Sequence, residues 1–339
     1  MFHTIVPKLK VGFVLIICLF LTADLIAASP CKVVQLQCEY LTNPLGIDTK
    51  NPRLTWRLDD PRRGARQVAY QVLVSLNDQD FSAQENLQWN SGKVSQAASF
   101  VSYSGKPLQP FTTYYWKVLI WDKDSVVSNP SSVSSFETGM MENGNWKGAW
   151  ISDDAGIDEK PAPYFRKPFE TFKKVKSARA FIATAGLFEL FLNGKKVGNH
   201  RLDPAFTRFD RRTLYVVHDV TSQLQQGKNA VGVLLGNGWY NHQSTAVWNF
   251  HKAPWRARPA FCMDLRITYE DGTIETISTS KEWKTAFSPI RFNSIYTGEH
   301  YDANLEQPFC NTASFAHTNW KSVIIRSPPA LNVVSQVLG

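Results

Sequence analysis

Charge is scarce in this chain of 339 residues, of which 19% are Asp, Glu, Lys or Arg and 43% hydrophobic. A disordered, solvating polypeptide is thereby excluded, because there is ample apolar side-chain mass to bury. Cysteine is sparse as well: the chain has five, with no C-x-x-C pair and no histidine near a cysteine at metal-ligand spacing, which argues against a structural zinc. Also missing are a Gly-rich phosphate loop, a nucleophile elbow and a metalloprotease helix motif. Gly232 to Gly238 lies between a strand pattern and a Trp-rich loop rather than opening a helix, so no cofactor is expected. No long helical periodicity occurs, and a coiled coil is excluded with it.

Aromatic residues are abundant, with 11 Trp, 11 Tyr and 21 Phe against 4 Met. Such rings favour strands over helices, since they fit a pleated, half-buried surface. At about 100–200 residues per domain the length predicts two or three globular units. The formal charge is +8, thinly spread. Its local concentrations, Arg62, Arg63 and Arg66, Lys173 to Lys176, and Arg208 to Arg212, lack regularly interleaved aromatics. They read as solvated loop charge, and no nucleic-acid partner is expected.

The N-terminus reads as an address. Lys8 and Lys10 precede the apolar stretch Val11 to Ala23, which is too short to span about 30 Å of hydrocarbon as a helix. Asp24 ends the stretch, and the small residues Ala27 and Ala28 offer a cleavage site. Residues 1–28 are therefore expected to be a removed signal peptide, so the protein is exported and no membrane span remains. The alternative is a lipid anchor at Cys31, for which Pro30 is a poor preceding residue. Export permits disulfides, and Cys31 with Cys38 can close a short loop. Free or buried thiols are the other outcome for these two and for Cys262 and Cys310.

Residues 34–139 read as short strands separated by turns. Leu54, Trp56 and Leu58 share one face of their strand, and Tyr114, Trp116, Val118 and Ile120 share one face of theirs. The expectation is a fibronectin type III-like or immunoglobulin-like sandwich. Met140 to Gly148 reads as a linker. A second β-rich unit follows over 146–312, with Asn193-Gly194 and Asp271-Gly272 as two-residue hairpin turns and a single helical turn after Asp219 stopped by Gly227. A jelly-roll β-sandwich buries this alternation best. Residues 313–339 have strand character but too little mass for a core, and look like the start of a further, truncated β-sandwich.

Several segments carry a family likeness: NPRLTWRL (51–58), WNSGKV (89–94), TYYWKVLIWD (113–122), FETG (136–139), WKGAWI (146–151), GLFELFLNGKKVG (186–198), LDPAFTRFDRRTLY (202–215), HDVTSQLQQGKNAVGVLLGNGWYN (218–241) and IYTGEHYDANLE (295–306). In this order and spacing the chain resembles the N-terminal half of bacterial α-L-rhamnosidases of glycoside hydrolase family 78. The resemblance implies an all-β accessory or scaffold region of an enzyme that removes terminal α-L-rhamnosyl groups from plant glycans or glycosides. It places the acid and the base of inverting hydrolysis on a later (α/α)6 barrel. No catalytic residue is therefore carried over, and this chain alone is expected to be inactive. The rival reading is a free-standing carbohydrate-binding or adhesion protein.

Candidate contacts to a rhamnose-containing glycan or glycoside are Asn237, Trp239 and Tyr240, where glycines permit close approach and rings offer stacking planes. Asp203 and Phe206, in a loop that also holds Phe209, Asp210 and Arg211, pair polar groups with an aromatic face. For each of these the plainer reading is turn chemistry or core packing. Glu299 and Asp302 are the most tempting carboxylates, with His300 between them as a proton carrier, although pinning their own loop is the favoured role. Some related jelly rolls are calcium-dependent rhamnose-binding modules with an Asp-Asn pair shortly before the Asn-Gly hairpin. The corresponding stretch here, Ala183-Thr184-Ala185-Gly186, has no carboxylate for a hard cation, so no tight metal site is expected.

Overall fold

A computed structural model describes residues 29–336 except 84, 246 and 247; the expected export segment lies outside the described residues. The first domain is a sandwich of a three-stranded and a four-stranded sheet. Lys32–Cys38, Arg53–Asp59 and Phe100–Ser102 form the smaller sheet, and Leu87–Asn90, Gln67–Ser75, Thr113–Asp122 and Ser134–Glu137 the larger. Strand Thr113–Asp122 alternates strictly between half-buried and buried positions, with Tyr114, Trp116, Val118 and Ile120 inward. The period of two in the sequence is thus the period of the pleat.

The second domain packs two larger sheets face to face. One holds strands Val175–Ala185, Thr213–Asp219 and Ala260–Tyr269 at its centre, and the other holds Pro163–Thr171, Leu187–Leu192 and Gly227–Gly236. Between them lies a core that includes Phe165, Ile182, Leu190, Val233, Met263 and Trp283. Strand Val175–Ala185 is buried on both faces in its second half. Ala180 and Ile182 face this core, while Phe181, Ala183 and Ala185 join a separate cluster on the outer side.

The first domain covers that outer side. Tyr215, fully buried, donates from its hydroxyl to Asp48 Oδ1 at 2.6 Å and accepts the Met140 N–H at 2.9 Å. Asp48 also accepts the N–H groups of Met141 and Ser335. The Arg179 guanidinium donates from Nε to Glu137 Oε1 and from Nη2 to Glu137 Oε2, both at 2.9 Å. Arg266 lies 4.6 Å over the Phe111 ring, whose edge meets Phe181. Gly139, the last residue of FETG, has no room for a side chain: a Cβ there would lie 2.0 Å from the Tyr215 hydroxyl. Met140 is 2% exposed, so the stretch expected as a linker is packed into the joint at its start, while Glu142, Asn143 and Gly144 stay exposed.

Two other expectations are corrected, and the alternative left open for the cysteines is decided. The tail does not begin a further sandwich. Lys321–Ser322, Ile324–Ile325 and Val333–Ser335 pair with Lys284–Phe287, Ile151–Ser152 and Thr213–Asp219 and extend both sheets of the second domain. Short strands without a core of their own are stabilised as edges of an existing sheet. Cys31 and Cys38 do not bridge; all four cysteines in the described residues are buried and free. The segment between them is a strand, not a loop, which at about 3.3 Å per residue sets the two Cα atoms roughly 20 Å apart, far beyond the reach of a bridge. At Asp271-Gly272 only the glycine takes positive φ, +80°. The turn runs from Tyr269 to Thr273 rather than over two residues, whereas Asn193 and Gly194 both take positive φ, +51° and +83°.

Candidate functional site

The loops at one end of the second sandwich gather most of the singled-out residues. Strand Leu187–Leu192 pairs with Gly227–Gly236 so that Leu187 stands opposite Gly236. The chain turns tightly into that strand at Gly186, whose φ of +120° and whose missing Cβ, which would sit 2.4 Å from the Gly236 carbonyl oxygen, both require glycine. Beyond Gly236, Asn237 is only 2% exposed. Its N–H donates to Asn293 Oδ1 at 2.7 Å, its Nδ2 donates to the Asn293 carbonyl at 3.3 Å, and its Oδ1 accepts from Asn241 Nδ2 at 3.3 Å. Asn237 therefore locks two loops together and presents nothing to a ligand. Tyr240 is likewise turned inward, its ring edge-on to Phe209 at 5.1 Å.

Trp239 faces out. With Phe206, Trp248, Phe250 and Tyr296 it lines an aromatic cup of about 300 Å³. Phe206, Phe250 and Tyr296 stand at 64°, 59° and 85° to its plane, 5.0–5.7 Å away. His242 stacks on the Trp239 ring at 18°, with Nε2 3.2 Å from the Ser244 hydroxyl and Nδ1 without a partner. Burial, with help from His251 and Arg256, holds its imidazole below the ordinary histidine range, so at neutral pH it is an uncharged plate behind the tryptophan.

Beside the cup lies a cleft of about 440 Å³. Leu187, Phe188 and Leu234 form apolar walls, and Glu189, Arg201 and Glu299 add charge. Asn293 also lines it, and its buried Nδ2 has no hydrogen-bond partner. Glu299 is separated in role from Asp302, whose Oδ1 accepts the N–H and the Nδ2 of Asn304, each at 3.0 Å, and caps the short turn Ala303–Leu305. His300 packs against Phe292. Asp203 is 9% exposed and holds His200 Nδ1 at 2.8 Å and Gln336 Nε2 at 3.1 Å. Gln336 in turn accepts the Ala205 N–H, so Asp203 fixes the loop that carries Phe206. Among the described residues no group of three or more His, Cys, Asp or Glu is placed to hold a metal ion. Thr184, in the stretch compared with calcium modules, is fully buried.

Trp248, Phe250 and Tyr296 escaped the sequence reading. Tyr296 sits within the IYTGEHYD segment, where the carboxylates drew attention, and Trp248 and Phe250 belong to no periodic pattern.

Residues 173–338 match the family described as alpha-L-rhamnosidase N-terminal domain, and residues 33–142 match the Rha78A-like, N-terminal immunoglobulin domain. The chain belongs to the α-L-rhamnosidase family. An α-L-rhamnosidase of Formosa agariphila is 33% identical over 87% of this chain and 34% of its own length. One of Alteromonas is 32% identical over 84% of the chain and 32% of its own length. The chain thus spans about a third of the length of these curated relatives. The structure of the α-L-rhamnosidase from Dictyoglumus thermophilum superposes with a TM-score of 0.82 at 36% identity, covering 91% of this chain and 35% of that one. A Streptomyces avermitilis α-L-rhamnosidase, solved in complex with L-rhamnose, shares the fold at a TM-score of 0.84 and 22% identity, over 91% of this chain and 46% of that one. The fold is the one expected, an immunoglobulin-like or fibronectin-like sandwich followed by a jelly-roll sandwich, and the match is to the N-terminal portion of the family.

Proposed function

We propose that the chain is the non-catalytic N-terminal region of an exported α-L-rhamnosidase acting on terminal α-L-rhamnosyl groups of plant glycans or glycosides. It scaffolds the enzyme and offers the cleft and cup at the loop end of its jelly roll to a rhamnose-containing ligand. The observation that carries this reading is the colinear match of both domains to the N-terminal third of α-L-rhamnosidases. Export rests on the pattern of residues 1–28 described above. Among the described residues no helix is long and apolar enough to cross a membrane. Nucleic acid is not part of the reading, because each local concentration of basic residues is partly paired within the chain: Arg62 pairs with Asp60, Asp122 and Asp124, Lys173 with Asp271 and Arg208 with Asp210.

The test is turnover. Incubated with 4-nitrophenyl α-L-rhamnopyranoside, the purified chain should release no nitrophenol above the rate of a heat-denatured sample. In affinity electrophoresis through a gel containing a rhamnose-terminated polysaccharide it should be retarded. Enzymatic release by the chain alone refutes the non-catalytic reading.

A further inference from the structure

We propose that the aromatic cup is a subsite for the planar aromatic aglycone of a glycoside whose sugar faces the adjoining cleft. The inference rests on the reading of the chain as part of a rhamnosidase and names the ligand class that the reading leaves open.

The chemistry of the lining decides between sugar and aglycone. Five aromatic side chains line the cup, with no charged or amide group among them. A pyranose carries hydroxyls on nearly every carbon, and each one stripped of water without a partner opposes binding. A flat aromatic ring loses little water-bonding and gains both apolar burial and offset or edge contacts with rings standing at 59° to 85° to Trp239. The cup's volume of about 300 Å³ is at the small end of ligand pockets. Its floor is fixed, since His242 backs the tryptophan and Phe206 is held through the Asp203 and Gln336 contacts.

Contiguity points to one ligand spanning both hollows. Gly238 lines the cleft and Trp239 the cup; Ser294 and Ile295 line the cleft and Tyr296 the cup. The cleft supplies what the cup lacks, namely Glu189, Arg201, Glu299 and the unpartnered Asn293 Nδ2. An aryl glycoside has this same division, a hydroxylated ring bonded through one oxygen to an apolar plane. Charge argues against the usual guest of an aromatic cage, an ammonium or quaternary amine. No carboxylate lines the cup to balance such a cation, whereas a neutral phenolic ring needs none.

The experiment compares 4-nitrophenyl α-L-rhamnopyranoside with methyl α-L-rhamnopyranoside by titration calorimetry and saturation-transfer NMR on the whole chain. The aryl glycoside should bind roughly tenfold tighter, the gain expected from burying one ring, with saturation strongest on its aromatic protons. Trp248→Ala and Trp248→Ser, at an exposed position outside every core cluster, should each bring the aryl glycoside down to the affinity of the methyl glycoside while leaving methyl binding unchanged. Equal affinity for the two glycosides, an equal loss of both in the variants, or no binding of either overturns the inference. None of those results touches the non-catalytic reading, which the turnover assay tests separately.

Discussion

Removing one oxygen atom at the domain joint should cost the protein a measurable part of its stability. In Tyr215→Phe the buried Met140 N–H loses its acceptor and the half-buried Asp48 loses one of three donors. An orphaned buried donor costs about 1–3 kcal/mol, so the expected loss is about 2 kcal/mol. At roughly 2–4 °C per kcal/mol for a unit of this size, Tm falls by about 4–8 °C. Gly139→Ala supplies the control, because its Cβ would lie 2.0 Å from the same hydroxyl and 2.8 Å from Asp48 Oδ1. With phenylalanine at 215 the nearer obstruction is gone, so the alanine costs less in the double variant than alone. Residues in contact couple by about 0.5–3 kcal/mol, and urea unfolding of the four proteins reads that term directly. Strict additivity, or a loss under about 0.5 kcal/mol for Tyr215→Phe, would show that the hydroxyl does not bind the two domains together.

Other variants probe separate features. Arg166 is fully buried and donates to the carbonyls of Cys310, Thr312 and Phe315. Arg166→Lys keeps the charge but cannot reach all three, at about 1–3 kcal/mol per orphaned carbonyl, so limited proteolysis should cut between 310 and 317 faster than in the wild type. Burial holds the Asp264 carboxyl above the usual carboxylate range, against hydrogen bonds from Lys147, Ser278 and Gly148, and its Oδ1 has no partner. A raised folded value gives a contribution that is complete below the unfolded value of about 3.9 and lost as pH rises through the folded one. Asp264→Asn should therefore raise Tm more at pH 7 than at pH 4, and an advantage that grows toward acid contradicts the assignment. Burial pushes the Cys31 thiol up to about 11 and raises Cys38, Cys262 and Cys310 as well. All four should react with a disulfide reagent slowly in the native protein and completely in denaturant, whereas a Cys31–Cys38 bridge leaves two fewer thiols to titrate.

Where strand period alone decides burial, the sequence was readable. Tyr114, Trp116, Val118 and Ile120 were assigned inward from alternation, and all four are buried. Asn193-Gly194 reversed the chain as its residues require. Alternation fails for Val175–Ala185, since a strand buried on both faces shows no polar face to mark it. It also says nothing of which partner covers the second face, here the first domain. The cup was illegible for a different reason: Phe206, Trp239, Trp248, Phe250 and Tyr296 come from separated loops, and loop convergence leaves no local period. Asn237 and Tyr240 were singled out because glycines and rings clustered there, yet the same cluster serves a hydrogen-bonded lock and a packed ring. Composition of a loop tells which contacts it can make, not which face it turns to solvent.

The domain joint and the candidate site belong to one packed body. The apolar cluster that holds Met140, Phe181 and Tyr215 at the joint continues through Phe209 and Tyr240 and reaches the partly buried Trp239. Its members interdigitate, and a close-packed interior transmits displacement rather than absorbing it. Tyr240 rests on Phe209, which meets Phe206, which meets Trp239, so two walls of the cup, Phe206 and Trp239, are propped by residues of the cluster that runs back to the first domain. If the cup binds a ligand as proposed, the immunoglobulin-like unit contributes to that binding in this way. By covering the outer face of the jelly roll it removes the freedom that Trp239 and Phe206 would otherwise lose on meeting a ligand, and that preorganisation strengthens binding without adding a contact. Tyr215→Phe is then expected to weaken aryl-glycoside binding as well as stability, although residue 215 lines neither hollow.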